Sequence, residues 1–400
     1  MSARPPRAVV LGSLALLVAA AAGCTADSVV PGRDAAPAGE TSSAATAAPA
    51  EPTVTVNVGN GAEDVPVDTL LAVTVANAEL DEVSVSSPAG DVAGELAANG
   101  FSWQADGRLE PGTAYTLKAV SRGLDGGAPT RTVTRFRTQD LTLAEQTFPS
   151  VAPLAGETVG VGMPVIVTFD VPVTDRASIE KHLEVTSTPS QVGTWHWLSD
   201  TEVHYRPKSY WKPGTDVHVD VDINGVSAGN GIYGQESRDI DFKVGDAHVY
   251  KVDARTHQMK VLSNGKLLRT IPITTGKAGF TTRSGTKVII EKFESKRMNS
   301  ETVGIGGSEA YDIDNVQWAM RLTYSGEFIH AAPWSVSSQG YANVSHGCTG
   351  MSTENAAWLY AMTRRGDVVE TTGTGRPMTL DNGYGDWNAS YASYAKGSAL

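Results

Sequence analysis

From Thr53 onward the chain alternates apolar and polar residues with the period of two expected of half-buried β-strands. Val54, Val56 and Val58 alternate, as do Val83 and Val85, and Phe136 closes the run near Thr138. Pro66, Pro88-Ala89-Gly90 and Pro111-Gly112 cut this pattern into short pieces, so residues 52–139 predict a β-sandwich. A second unit of the same kind spans 140–245. There Val165-Ile166-Val167-Thr168-Phe169 forms an apolar strand, and Val217, Val219, Val221 and Ile223 alternate strictly with polar residues. A third unit, 246–371, continues with strands around Val261, Leu267–Ile273 and Val288-Ile289-Ile290, and adds one helix. The helix opens at Ser352, whose hydroxyl suits the unpaired amides of a first turn, with Glu354 just inside. Ala356, Leu359 and Tyr360 make its apolar stripe, and Gly366 follows its end. The tail, 372–400, is rich in Gly, Tyr and Trp and is expected to pack on the third unit.

The start of the chain reads differently. Arg4 and Arg7 precede an apolar run from Ala8 to Ala22. That run is too short to span a bilayer and fits the apolar region of a secretory signal. Its ending, Ala21-Ala22-Gly23-Cys24, resembles a bacterial lipoprotein processing box. The resemblance implies a signal peptide over 1–24 and a lipid on Cys24. It also implies attachment to the outer face of the cell membrane, with the active unit in the cell wall. The plainer alternative is cleavage near Ala22 with an incidental cysteine. Residues 25–51, mostly Ala, Pro, Ser, Thr and Gly, cannot bury a core and predict a disordered tether with a reach of roughly 28 Å.

Composition narrows the function. The 400 residues include 41 Gly, 20 Pro and only 7% aromatics, which fits turn-rich β structure. The fold class is therefore mainly β: two sandwiches, Ig-like in architecture only since neither has a Cys…Trp…Cys pattern, then a β-rich third unit. A formal net charge of -12 argues against nucleic acid as a partner. Residues 246–400 hold 16 Lys and Arg against 14 Asp and Glu, so the acidity belongs to the tether and the sandwiches. Two cysteines permit at most one disulfide. With Cys24 lipidated, Cys348 is a lone thiol in an exported chain, and nucleophilic chemistry would explain it.

Cys348 stands in Ser345-His346-Gly347-Cys348-Thr349-Gly350-Met351-Ser352, just ahead of the helix. Unpaired amides and the positive end of the helix dipole there would favour a thiolate. Gly347 lets a substrate carbonyl approach the backbone, and the amides of Gly347 and Cys348 are candidate oxyanion donors. Two residues could act as base: His346, two positions away, and His330, 18 residues upstream after the strand-like Gly326-Glu327-Phe328-Ile329. The residue pattern does not choose between them.

The segment from His330 to Ser345-His346-Gly347-Cys348 resembles the active-site signature of the L,D-transpeptidases, the YkuD-like catalytic domain. Thr275-Gly276-Lys277 and Thr282-Arg283-Ser284-Gly285-Thr286 resemble that family's Gly/Thr strand and turn. The tandem sandwiches and the tail's Gly385-Asp386-Trp387-Asn388 resemble the actinobacterial type. The resemblance implies that Cys348 attacks the carbonyl of the third, diaminopimelate-type residue of a peptidoglycan tetrapeptide stem and expels D-Ala. An amine-bearing acceptor stem would complete a 3→3 cross-link; water would make the enzyme a carboxypeptidase. It implies His330 as base, oriented by the carbonyl of Ala331, and His346 as a supporting residue. Tyr311 would assist the oxyanion, although its spacing to Trp318 is one residue longer than the family pattern. Met298 would cover the substrate, and Trp334 and Ser335 would line the pocket beside Ser345. Thr349-Gly350 departs from the pair usual after the cysteine. No metal or organic cofactor is implied.

Two rivals stand beside this reading. One is a non-enzymatic cell-wall binding lipoprotein. The other is a different cysteine acyltransferase of the sortase kind, for which Arg321 is the nearest upstream oxyanion partner. His182, His196, His204 and His218 in the second unit match no tight metal-ligand spacing. Gly229-Asn-Gly231-Ile-Tyr-Gly234 has the GxGxxG pattern but no helix after it, so it predicts a turn rather than a dinucleotide site.

Overall fold

The computed structural model describes residues 51–400, and the signal segment, Cys24 and all but the last residue of the tether lie outside it. The first alternating stretch forms a four-stranded and a five-stranded sheet. They close over Leu71, Val73, Trp103, Leu117 and Phe136. The second forms two four-stranded sheets and a small three-stranded one. The inward residues of Asp216–Val221 are Val217, Val219 and Val221, the alternation read from the sequence. The glycine-rich pattern at 229–234 is a tight turn between the strands Ser227–Gly229 and Ile232–Gly234. Gly229, Asn230 and Gly231 all take positive φ there, a conformation that favours glycine and asparagine.

The third unit has two sheets. The five-stranded sheet runs in the order Lys266–Pro272, Gln258–Ser263, His248–Asp253, Val368–Thr372, Gly285–Val288. The four-stranded sheet runs Glu291–Asn299, Asp312–Arg321, Phe328–Ala331, Thr349–Met351. Between them and the helix Thr353–Met362 lies a core of Tyr250, Met259, Val261, Ile271, Met320, Ile329, Met351 and Leu359. Parallel strands cannot be joined by a tight hairpin. The chain therefore leaves Ala331, crosses over through the 3-10 segment Pro333–Ser338, and returns at Thr349 beside the strand it left. This crossover carries Ser345-His346-Gly347-Cys348 to the edge of the His330 strand.

The second sandwich and the third unit share apolar packing. Val288, Ile290, Val368 and Tyr384 belong to the same buried cluster as Val159, Val161 and Met163. The backbones touch, with Gly160 N–H donating to Arg365 O at 2.7 Å and Gly162 N–H to Gly366 O at 2.8 Å. The tail packs on the third unit, where Asn388 brackets Thr286 and Met378 N–H bonds Ser284 O. It also reaches the second sandwich, which the sequence did not reveal. Trp387 Nε1 donates to Gly162 O at 2.7 Å, Arg206 Nη2 to Ala389 O at 2.9 Å, and Ala399 N–H to Glu180 Oε2 at 2.8 Å. Among the described residues no helix is long and apolar enough to cross a membrane.

Candidate active site

Cys348 sits one step before the short strand Thr349–Met351, which pairs in parallel with Phe328–Ala331 so that His330 lies opposite Gly350. The thiol is buried, with Sγ 3.6 Å from Gly326 O. Burial pushes its pKa up to about 12; the Phe328 amide opposes this, the Glu327 carboxylate adds to it, and Lys287 opposes it. The expected help from the helix fails for a geometric reason. The strand Thr349–Met351 intervenes, and the helix's first turn is capped by Ser352, whose Oγ accepts from Asn355 N–H at 3.3 Å. A helix dipole acts mainly within about a turn of its end. Desolvation therefore wins, and the resting group is the neutral thiol.

His330 is buried in the adjacent strand, where burial holds its pKa below the usual histidine value despite the Ala331 carbonyl, which favours the charged form. Its Nδ1 lies 2.7 Å from Ala331 O. A carbonyl only accepts, so Nδ1 carries the proton and Nε2 is left as the basic nitrogen. The ring lies 5.8 Å from that of Trp334. His346 is engaged elsewhere. Its Nε2 is 2.7 Å from Glu309 Oε2, and its ring lies between those of Phe280 and Tyr311 at 4.7 and 5.0 Å.

Two hydroxyls shape the turn at the thiol. Ser345 Oγ donates to Cys348 O at 2.6 Å and accepts from Gly347 N–H at 3.2 Å. The Gly347 amide, expected at an oxyanion, is thus already paired. Thr282 Oγ1 donates to Gly347 O at 2.7 Å. In a planar trans peptide the carbonyl and the following amide point in opposite directions, so this bond aims the Cys348 N–H away from Thr282. Gly347 has φ +129, open only to glycine without strain.

A cavity of about 270 Å³ opens on Cys348 and is lined by Tyr311, Trp334, Ser335, Ser345 and His346. A second, of about 380 Å³, shares Tyr311 and meets Met298, Gly326 and Phe328. Met298 packs on the cluster of Ala319, Phe328 and Cys348. Tyr311 is in the segment joining Glu291–Asn299 to Asp312–Arg321, and burial, with Cys348 beside it, pushes its phenol up to about 12. The stretch between Tyr311 and Trp318 carries a register shift. Lys296 pairs with Val316 but Met298 with Ile313, a β-bulge that absorbs one residue.

Sequence reasoning missed the charged floor under the thiol. Glu327 takes the Lys287 ammonium at 2.6 Å and Arg283 Nη1 at 2.9 Å, and Lys287 is fully buried. The only signal was one carboxylate beside an apolar strand. Arg321, the sortase-like candidate, is spent on the face of Phe328 at 4.7 Å and on Thr323 O at 3.3 Å. In the second sandwich His218 lies between Asp241 at 3.1 Å and Asp239 at 3.6 Å on an exposed face. His204 instead is buried against Asp386.

Comparison with known proteins agrees with this arrangement. Residues 62–227 match the bacterial Ig domain family, and residues 247–371 match the L,D-transpeptidase catalytic domain, YkuD. L,D-transpeptidase 2 of Mycobacterium tuberculosis (strain CDC 1551 / Oshkosh) is 38% identical over 352 residues, covering 87% of this chain and 85% of that protein. L,D-transpeptidase 5 of Mycobacterium tuberculosis (strain ATCC 25618 / H37Rv) is 32% identical over 362 residues, covering 88% and 78%. The solved structure of the LD transpeptidase LdtMt1 in complex with imipenem shares 38% identity, 56% of this chain, 97% of that one and a TM-score of 0.50. A thiol one residue ahead of a strand that pairs in parallel with the strand of an oriented imidazole, in a chain this similar to named relatives along most of its length, places the protein in the L,D-transpeptidase family.

Proposed function

We propose that the protein cross-links peptidoglycan through a thioester on Cys348. The observation that carries this is the 2.7 Å bond from His330 Nδ1 to Ala331 O, which leaves Nε2 as a base in the strand beside the thiol. The Cys348 proton passes to His330 Nε2 as sulfur attacks the carbonyl of the third stem residue. The Cys348 amide and the Tyr311 hydroxyl, which stays protonated at neutral pH, donate to the oxyanion. His330 then returns the proton to the departing amine of D-Ala, and the thioester remains. An acceptor amine attacks it, His330 takes that proton, and the thiol is restored with a new amide bond. Trp334, Ser335 and Met298 border the stem, and Ser345 and Gly347 hold the turn. His346 supports this geometry without taking a proton.

Mass spectrometry of products from a defined tetrapeptide donor with an amine acceptor tests this reading. Loss of D-Ala with a 3→3 dimer is expected. Hydrolysis alone would move the reading to a carboxypeptidase, and an unchanged donor would leave the cell-wall binding lipoprotein.

The resting pair is neutral, which has a pH signature. The reaction needs His330 unprotonated, and burial holds its pKa below 6.5. The acid limb of kcat/KM is therefore expected to fall at a pH below 6.5. A midpoint above 7 would show that burial does not hold the His330 imidazole below its ordinary range.

The sequence of residues 21–24 supports a lipid anchor on Cys24, holding the enzyme at the outer face of the membrane. Cys24→Ala is expected to release the protein from the membrane fraction, and retention would contradict the anchor.

A further inference from the structure

The segment joining Glu291–Asn299 to Asp312–Arg321 arches over the rim of the thiol cavity. Its neck is closed by Ser300 N–H donating to Tyr311 O at 2.9 Å and Tyr311 N–H donating to Ser300 Oγ at 3.0 Å. Within it lies the 3-10 turn Gly307–Glu309. Gly304 and Gly307 take positive φ on either side of the arch's tip, and most of residues 301–310 are exposed, so the arch carries little side-chain packing of its own. Its one ionic tether to the rest of the site is Glu309. A single oxygen, Glu309 Oε2, accepts from Lys277 Nζ at 2.6 Å and from His346 Nε2 at 2.7 Å.

The two donors are the better-organised side of this contact. His346 is fixed between the Phe280 and Tyr311 rings, and Lys277 Nζ lies 5.5 Å from the Phe280 centroid. Both hang from segments tied together by Lys277 N–H donating to Ser345 O at 2.9 Å. His346 lines the same cavity as Cys348. Glu309 is on the arch, and its side chain, like that of Lys277, is more than a third exposed, whereas His346 is about a quarter exposed. Two converging N–H donors around one oxygen are the geometry that recognises a carboxylate. The donor chemistry in the proposed reaction carries carboxylates close to the scissile bond: one on the leaving D-Ala and one on the side chain of the third residue.

We propose that Lys277 and His346 form a carboxylate subsite beside Cys348, which Glu309 fills in the free enzyme and yields to a carboxylate of the stem peptide. The subsite rests on the stem-peptide reading of the active site. Glu309 then acts as an internal stand-in that keeps two donors paired until substrate arrives. Exchange of one carboxylate for another conserves charge in the site, so binding does not require a bare ammonium at any stage.

The test is binding, so that it stands apart from turnover. A tetrapeptide donor is titrated into full-length Cys348→Ala protein with and without Glu309→Gln or Lys277→Met, by calorimetry. Three donors are compared: the free acid, its C-terminal amide and its side-chain amide. Glu309→Gln is expected to tighten the free acid about twofold to fivefold, the range set by a partly exposed ion pair, and Lys277→Met to weaken it by a similar factor. The donor whose amide abolishes both effects identifies which carboxylate is bound. Equal effects of a variant on all three donors would mean that Glu309 only fastens the arch, and would overturn the subsite. So would weaker binding of the free acid to Glu309→Gln. Failure of D-Ala release by the unmodified enzyme would instead overturn the activity, whatever the binding shows.

Discussion

Cys348→Ala is expected to abolish D-Ala release, lowering it by at least about 10⁴-fold. The magnitude follows from what the thiol alone supplies. Without sulfur there is no covalent intermediate, and His330 would have to activate an acceptor against an intact amide. His330→Ala should cost less, about 10²- to 10⁴-fold, because the thiol survives and only assisted proton transfer is lost. The resting thiol, held up at about 12, makes that assistance matter at neutral pH, since very little thiolate forms unaided. Both variants should fold, because Cys348→Ala keeps a small apolar side chain against Ala319 and Phe328 and loses one weak sulfur hydrogen bond, His330 bonds the carbonyl of its own neighbour Ala331, and the strand register is backbone. Product mass spectrometry on the purified variants checks both values. Release within tenfold of the unmodified enzyme in Cys348→Ala would place the nucleophile elsewhere.

The second large effect lies far from the thiol. Asp386→Ala is expected to cost about 3–5 kcal/mol, the range for removing one partner of a buried ion pair. Asp386 Oδ1 accepts from His204 Nδ1 at 2.9 Å and from the Tyr394 hydroxyl at 2.7 Å. His204 Nε2 reaches Glu202 at 2.8 Å, so both ring nitrogens face carboxylates. Burial alone would push the imidazole down, but Asp386 and Glu202 hold it up at about 9. Asp386 is fully buried, which alone would raise its pKa, yet His204 keeps it below the ordinary carboxylate range. The pH window follows from these directions. The histidine's folded pKa lies above its unfolded 6.5, so its contribution is complete below about 6.5 and fades as the pH rises through about 9. The aspartate's contribution is present above its unfolded pKa and fades in acid. The Tm difference between the unmodified protein and Asp386→Ala should therefore be widest between about pH 5 and 6.5 and shrink toward pH 10. A difference that is flat with pH would show that the pair is not ionic.

The strands were legible because burial on one face leaves a mark of period two, as at Val217, Val219 and Val221. Ser352 was legible as a cap because its hydroxyl acts within three residues. What escaped was either non-local or cancelled by something non-local. Three residues of strand between Cys348 and the helix removed the dipole from the thiol, and their pairing partner lies some twenty residues upstream. His204 looked like part of a histidine group in one sandwich. Its partner, Asp386, is 182 positions away, and no spacing rule reaches that far. Lys287 and Glu327 are 40 positions apart in the chain. Only the fold puts them on one buried contact beneath the thiol.

The apolar packing shared by the second sandwich and the catalytic unit determines where the chain can be cut for expression. A fragment beginning at residue 246 would lose Val159, Val161 and Met163 and leave Val288, Ile290 and Val368 facing water. It would also free Trp387 and the chain around it from Gly162 and Glu180. A fragment beginning near residue 140 keeps all of these. At that end the severed joint is polar, with Arg108 on Asp222 and Asn224 on Glu110, groups that water can satisfy. The second sandwich and the catalytic unit together are therefore the smallest fragment that keeps this packing.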